Sequence, residues 1–468
     1  MKIHLLQKLI DQNPNKIFLI SQDKKISFKD FLILTSRIYN FLNKKPEKYI
    51  FINAEKNEYV IAAYLACAKL GKIASFIDPL SKNPESFYNL TNDSFYFSNE
   101  LYEKIEHYDY TLINNANQVI HNEFSEIIFT TGTTGSPKGV LLSHRTVYET
   151  AYNINKFTNL NSDDIELHMM PISHSFGLAR IRCSILKGNT TVLMNGFGNL
   201  ISFYKNLEKY RATVISTVPA GVRFLLRLSK DKISNYSSQI KMIELGSSPM
   251  STEEKVILTN LLPKTNICMH YGLTEASRST FLNFKNERKF IDSVGKQNFG
   301  TDIKIFNKDG FECDVEDSGE ICIKGSNLFS EYIFCDNKTA FNGEYFKTGD
   351  YGYVNKEGYL YFEGRKDEML NISGKKVSPL EIEKHINEIK FIDESVCISF
   401  HNSRNGMTEI KAYVVLNKYA PNKKIENEIV NYLKKKIEYY KIPSKFVNID
   451  VVPKSHNGKI LRKKLEEN

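Results

Sequence analysis

The chain has 468 residues, 41% hydrophobic and 25% charged, with a net charge of +9. That length allows roughly two to four domains and the composition is that of an ordinary globular protein with a sizeable core. The lysines and arginines are spread along the chain, clustering only at Lys434-Lys435-Lys436 and Arg462-Lys463-Lys464. With no basic stripe interleaved with aromatics, this argues against a nucleic-acid partner.

The segment Met1–Ile10 is interrupted by His4, Gln7 and Lys8, and reads as the start of an amphipathic helix rather than a signal peptide. No apolar run approaches the ~18 residues of a membrane helix. Seven cysteines, at 67, 183, 268, 313, 322, 335 and 397, form no C-x-x-C pair. An odd number without that spacing fits a reducing, cytoplasmic setting better than a disulfide framework or a zinc site.

Residues 1–80 alternate helix and strand signals. Phe28–Leu42 has helical apolar spacing, Tyr49–Ile52 is a short buried strand, and Tyr59–Leu70 is a helix ending at Gly71, where a left-handed cap is expected. Ile73–Pro79 is a further strand. This order predicts parallel α/β layers. Residues 80–120 are polar and carry no clear pattern.

The stretch Thr130-Thr131-Gly132-Thr133-Thr134-Gly135-Ser136-Pro137-Lys138-Gly139 lies between the apolar runs Ile127–Phe129 and Val140–Leu142. That predicts strand, loop, strand. Glycines that let backbone approach a ligand, several hydroxyls and one lysine suit a polyphosphate. It is not a Walker A loop, because counting on from Gly132 puts Pro137 and Lys138 where Gly and Lys belong. The bland alternative is a flexible surface turn.

A helix is expected from Ser143 to about Phe157, then a strand within Asp163–Met170 leading to Pro171–Leu178. His174 and Phe176 then fall just beyond a strand end, where α/β proteins keep ligands; a lone histidine is more often structural. Strands follow at Ala212–Val218 and Lys241–Leu245, the latter breaking into Gly246-Ser247-Ser248-Pro249, with a helix at Ala220–Leu228 between them. Asn266–Met269 leads into His270-Tyr271-Gly272-Leu273-Thr274-Glu275. There Tyr271 can stack on a purine, Thr274 can donate to a phosphate and Glu275 can hold Mg²⁺.

From about 293 the strands become short and close together, at 302–306, 320–324, 351–353 and 359–362, which predicts a small antiparallel sheet or barrel. Asp350 and Arg365 sit in it; a carboxylate and a guanidinium can hold ribose hydroxyls, although each is more often part of a surface ion pair. After 367, the turn 373–376, helices at 381–389 and 425–438, and strands at 395–400, 409–416 and 446–452 predict a small α+β domain.

Six spaced motifs then agree: Thr130–Val140, Pro171–Leu178, Tyr271–Glu275, Gly349-Asp350, Gly364–Asp367, and Asn457-Gly458-Lys459 with Arg462. On these the chain resembles the adenylate-forming superfamily of acyl- and aryl-CoA ligases, peptide-synthetase adenylation domains and beetle luciferases. The motifs span about 120–468, and 1–80 fits the same layout.

The resemblance implies an α/β, multi-domain α+β architecture. Residues 1–366 would form an N-terminal adenylation domain, with a β-rich subdomain about 293–366, and 367–468 a mobile lid hinged at Asp367. It implies attack of a carboxylate on the α-phosphorus of ATP, giving acyl-AMP and pyrophosphate, then thioester formation with CoA. The alternative acceptor is the phosphopantetheine of an acyl-carrier protein. From a different class, a non-catalytic nucleotide sensor or scaffold is disfavoured by the intact Lys459, Glu275, Asp350 and Arg365. Oxygen chemistry of the luciferase kind is singled out by nothing in the chain.

By resemblance, Lys459 is the cation bridging carboxylate and α-phosphate, Glu275 holds Mg²⁺ and Thr274 binds the α-phosphate. The run Thr130, Thr131, Gly132, Thr133, Thr134, Gly135 and Lys138 cradles the β,γ-phosphates. Asp350 and Arg365 take the ribose; Gly246, Ser247 and Tyr271, with His270 and Gly272, take the adenine side. Gly374 faces the pantetheine channel.

Ser173-His174 replaces the Phe-Asp usual in amino-acid-activating relatives, which disfavours an α-amino acid and makes His174 similar to a gating residue. Arg180 is expected to be either a partner for a second anionic group on the acid or a solvated helix residue. Two departures stand out: Asn371, where many relatives have lysine, and Gln297-Asn298, in place of a Pro-containing turn. The short chain favours a small or medium acid or delivery to a carrier. The basic lid, with Lys375, Lys376 and Lys434–Lys436, suits CoA and carrier alike.

Overall fold

A computed structural model describes residues 5–115, 123–131, 137–196, 199–333, 341–372, 375–402, 407–421, 424–454 and 460–466. The chain divides into two compact units, residues 1–303 with 323–346, and residues 304–322 with 347–468.

The first unit contains two sheets. A nine-stranded sheet has six consecutive parallel strands, in the order Asn266–Tyr271, Met242–Leu245, Val214–Thr217, Ile165–His168, Thr190–Leu193 and Ile17–Ser21. Antiparallel strands close it at both ends, Lys24–Ser27 on one side and Thr280–Asn283 with Lys296–Gln297 on the other. A six-stranded sheet runs Glu331–Ile333, Pro137–Ser143, Phe124–Thr131, Ile73–Ile77, Tyr49–Asn53, Ser94–Phe97. The short apolar runs of the sequence are these strands, because parallel strands buried on both faces carry little polar alternation.

Helix starts and stops follow local chemistry. Phe28–Asn43 begins at a capping box, in which Ser27 accepts from the Asp30 amide and Asp30 reaches back. Asn57 and Ser143 cap Glu58–Leu70 and His144–Thr158 more simply, their side chains accepting from the Val60 and Thr146 amides. Gly71 ends its helix with φ 70°, as expected for a left-handed cap. Helix Glu58–Leu70 is buried from Glu58 to Ala68, and one hydrophobic cluster joins it to Phe18 and Leu19 of the larger sheet and Ile50, Ile52 and Phe76 of the smaller.

The short strands expected beyond 293 form a five-stranded sheet containing Thr301–Phe306, Gly319–Gly325 and Tyr345–Val354. Within the second unit, residues 350–354 pair antiparallel with Leu360–Arg365. A three-stranded sheet follows, Ile392–Asn402 and Met407–Leu416 antiparallel, with Lys445–Asn448 parallel to the latter. Helices Pro379–Asn387 and Ile425–Leu433 pack on it around Ile382, Ile386, Ile429 and Leu433.

Some expectations are corrected. The helix predicted to run to 438 stops at Leu433, where Lys434–Lys436 leave the apolar stripe. The last strand is Lys445–Asn448 rather than 446–452. The strand expected at 351–353 begins at Tyr345, and the patternless 80–120 region includes the strand Ser94–Phe97 beside Tyr49–Asn53.

Candidate active site

Four neighbouring parallel strands of the nine-stranded sheet end side by side, at His168, Thr217, Leu245 and Tyr271. Their register brings Pro171–His174, Gly246–Ser247 and Tyr271–Glu275 to the same carboxyl edge, where open α/β sheets bind ligands. Tyr271, Thr274, Glu275 and His174 are partly exposed there. Gly246 is buried against the next strand: a Cβ on it would lie 2.2 Å from the His270 ring. His270 itself is buried, edge-on to Phe176 at 4.8 Å, with Nδ1 2.9 Å from Glu244 Oε1. Burial, then the Arg278 charge, pushes its pKa down, against the pull of Glu244.

The hairpin Phe124–Thr131/Pro137–Ser143 places Thr130 opposite Lys138. One segment joins this hairpin to the 274–276 turn. Leu328 bridges Ala276, the Phe329 amide donates to Glu275 O at 2.8 Å, and four residues on Tyr332 and Ile333 pair with Val140 and Gly139. Tyr332 therefore reaches both sides. Its hydroxyl donates to Glu275 Oε1 at 2.8 Å, and Lys138 Nζ lies 5.7 Å from its ring centroid. Thr130, Lys138, Tyr332 and Glu275 are thus gathered by main-chain pairing: one carboxylate, one ammonium and hydroxyls, a donor set suited to a Mg²⁺-polyphosphate.

His174 precedes the helix Ser175–Lys187, and its Nε2 stands 3.8 Å from Asp78 Oδ2, just after strand Ile73–Ile77 of the other sheet. That helix is clamped on two sides. Arg180 is 1% exposed and forks onto Glu166 (Nη2–Oε2 2.7 Å, Nε–Oε1 3.0 Å) while Nη1 reaches Glu244 Oε2 at 3.2 Å. Arg182, about 200° round the helix, pairs with Glu126 of the hairpin and donates from Nε to Tyr64 Oη at 3.1 Å. Both expectations for Arg180 are overturned. It is neither solvated nor available to an acid substrate, because two carboxylates from two strands already take its donors.

Glu166 and Glu244, with Arg180 and Arg278, form a buried set of two anions and two cations. Burial opposes the charge on Glu244, but Arg278, His270 and Arg180 outweigh it and hold the carboxyl well below the usual carboxylate range. Nearby, His168 Nε2 contacts Gly177 O at 2.9 Å; burial and the adjacent Lys56 push its pKa down to about 3. Lys56 donates to Met194 O at 2.6 Å, and burial lowers its ammonium to about 7.

In the second unit, Asp350 and Arg365 are register partners on adjacent strands, joined at 2.8 Å, and Arg365 also donates to Thr348 O at 3.1 Å. Asp350 is 3% exposed, so the pair is half-buried rather than the surface ion pair that either residue suggests alone. Arg462 is buried on Glu383 and Cys397 O, and its Nε is 3.3 Å from Glu368 Oε2. Gly132, Thr133, Thr134, Gly135, Gly374 and Lys459, and the side chain of Thr131, lie outside the described residues. Among those described, no cluster of three or more His, Cys, Asp or Glu side chains is spaced to hold a metal, and no helix is long and apolar enough to cross a membrane.

The functional neighbours that sequence reasoning missed are Tyr332, Glu166, Glu244, Arg278 and the Arg182–Glu126 pair. A signal was present for two of them. A glutamate flanked by apolar residues in a short buried strand, as in Ile165-Glu166-Leu167 and Ile243-Glu244-Leu245, is costly unless an arginine meets it.

Two sheets followed by a small α+β unit are the fold of solved adenylate-forming enzymes. The solved structure of ATP-bound MatB from Rhodopseudomonas palustris superposes with a TM-score of 0.88 at 21% identity, covering 99% of this chain and 98% of that one. The o-succinylbenzoate coenzyme A synthetase of Bacillus subtilis, in complex with ATP and magnesium ion, gives 0.86 at 23% identity, covering 99% of both chains.

The model of the AMP-binding enzyme family matches residues 6–333 and that of the AMP-binding enzyme C-terminal domain matches 381–459, so the chain belongs to the AMP-binding enzyme family. Among curated relatives, it is 26% identical to the 2-succinylbenzoate–CoA ligase of Bacillus subtilis (strain 168), over 97% of this chain and 95% of that protein. It is 28% identical to 4-coumarate-CoA ligase 1 of Narcissus pseudonarcissus, over 72% and 63%.

Proposed function

We propose that the chain is an AMP-forming acid–thiol ligase that activates a small carboxylic acid with ATP and Mg²⁺ and passes the acyl group to CoA. What supports this reading most is the gathering of Glu275, Lys138 and Thr130 by the segment that carries Tyr332, in a chain of the AMP-binding enzyme family whose relatives include CoA ligases.

In this reading Glu275 holds Mg²⁺, oriented by the Tyr332 hydroxyl, and the metal supplies charge neutralisation at the phosphates. Thr130–Lys138 cradles the β,γ-phosphates and Thr274 the α-phosphate. Gly246, Ser247 and Tyr271 form the adenine shelf, with the Gly246 main chain packed directly on the His270 ring. Asp350 and Arg365 bind the ribose. His174 gates the acid.

The carboxylate oxygen bonds to the α-phosphorus as the bond to pyrophosphate breaks. Lys459 neutralises the two anions as they meet. Residues from 367 on act as a lid that turns Lys459 away and brings Gly374 to the pantetheine for the thiol step. The thiol sulfur then bonds to the acyl carbon and AMP leaves.

The test is pyrophosphate release with Mg²⁺-ATP across aryl, short and medium carboxylic acids, with CoA, with a phosphopantetheinylated carrier protein and with neither. Acid-dependent release with CoA thioester formed is the expected result. Transfer only to the carrier would move the acceptor to a carrier protein. No release with any acid, beside tight nucleotide binding, would overturn the enzyme reading in favour of a nucleotide sensor.

A further inference from the structure

Arg278 lies three residues beyond Glu275, outside the motif, in a left-handed backbone conformation with φ 52°, and the residue is 1% exposed. Its main chain is fixed against the turn that carries Thr274 and Glu275. Leu273 and Ala276 exchange backbone hydrogen bonds at 3.1 and 3.2 Å, and a Cβ on Gly272 would stand only 2.5 Å from the Arg278 nitrogen. Its carbonyl accepts from Asn298 Nδ2 at 3.2 Å, so the unusual Gln297-Asn298 step is where this backbone is held.

The side chain leaves the turn and grips the other loop. Nη1 donates to Ser175 O at 3.3 Å, Nη2 to Phe176 O at 3.1 Å, and the guanidinium lies 4.6 Å from the Phe176 ring centroid. Nε meets Glu244 Oε1 at 3.3 Å, the carboxylate whose other oxygen takes Arg180 of the same helix. One residue therefore has its main chain against the turn that carries Thr274 and Glu275 and its side chain on the first turn after His174.

We propose that Arg278 is a positioning residue that couples the Thr274–Glu275 turn to the His174 acid gate, so that nucleotide binding and acid binding favour one another. The proposal rests on the ligase reading above. A planar fork with fixed donor directions suits this task where an ammonium does not. A coupling between two sites is reciprocal and is typically worth about fivefold or more in affinity.

Hydrogen exchange on the full chain tests it, with Mg²⁺ and α,β-methylene-ATP as the probe and no acid present. In the wild type, the probe should slow exchange over 270–276 and also about fivefold or more over 174–179. Arg278→Lys should keep the protection at 270–276 and lose it at 174–179, whereas a residue that only stabilised the fold would raise exchange equally with and without nucleotide. Protection at 270–276 alone in the wild type overturns the coupling, and that arm decides even if R278K does not fold. Protection at both sites in R278K removes Arg278 from the role. No protection at either site in the wild type means the nucleotide reading itself has failed, and the proposal with it.

Discussion

Tyr332 donates its hydroxyl hydrogen to Glu275 across 57 positions of sequence, and the same ring faces Lys138. A carboxylate expected to bind a cation is thereby fixed in rotation before any ligand arrives, which is what pre-organisation of a metal ligand requires.

Tyr332→Phe keeps the ring and removes the donor. The half-saturating Mg²⁺ concentration for pyrophosphate release should rise about 3- to 10-fold, in line with a charge-assisted hydrogen bond at a partly exposed site. Global stability should change by less than about 1 kcal/mol. A Mg²⁺ titration beside urea denaturation checks both; an unchanged Mg²⁺ requirement would remove Tyr332 from the site.

Arg180→Met leaves Glu166 and Glu244 in the core without the guanidinium between them. Breaking a buried pair from one side costs about 3–5 kcal/mol. The urea midpoint should fall accordingly, and adding Glu166→Gln should restore part of the loss by removing one stranded charge.

The pKa of His168 is held near 3 in the fold, against about 6.5 unfolded. The unfolded chain therefore binds one more proton there as pH falls from 6.5 towards 3. This contribution to stability is fully present above 6.5 and is lost on acidification, at about 1.4 kcal/mol per pH unit. His168→Gln, which can still donate to Gly177 O, should flatten the stability–pH slope below 6.5 by about that amount. Denaturation midpoints between pH 5 and 7 measure it.

Lys459→Ala should lower acyl-adenylate formation about 10²–10³-fold, the usual scale for losing one preorganised charge partner of a transition state. Nucleotide affinity should stay within about threefold, and thioester formation from supplied acyl-adenylate should survive. Adenylation at the wild-type rate would falsify the role given to this lysine.

Strands were legible wherever apolar runs stood between turn residues, as at Tyr49–Asn53, Met242–Leu245 and Asn266–Tyr271, because burial on both faces writes itself into composition. Caps were legible for the same local reason at Gly71 and Ser143. What escaped was every relationship made by distant pairing. Nothing near Tyr332 points to Glu275, and Arg180 lies 14 and 64 positions from its two carboxylates. A helical arginine with no local partner reads as solvated; only the sheet order brings Glu166 and Glu244 beneath it. The strand Ser94–Phe97 was hidden by its polar surroundings.

The four charges of the Glu166, Glu244, Arg180 and Arg278 set cancel within the protein interior. The floor under the strand ends is therefore electrically balanced and adds no net pull on an anionic ligand. Attraction for phosphate and carboxylate has to come from cations that reach solvent, such as Lys138 among the described residues, and these are screened by salt much more than the buried set is. Ionic strength thus acts on the two halves of the design unequally: added salt loosens the hold on the reactants while the scaffold that presents them stays intact.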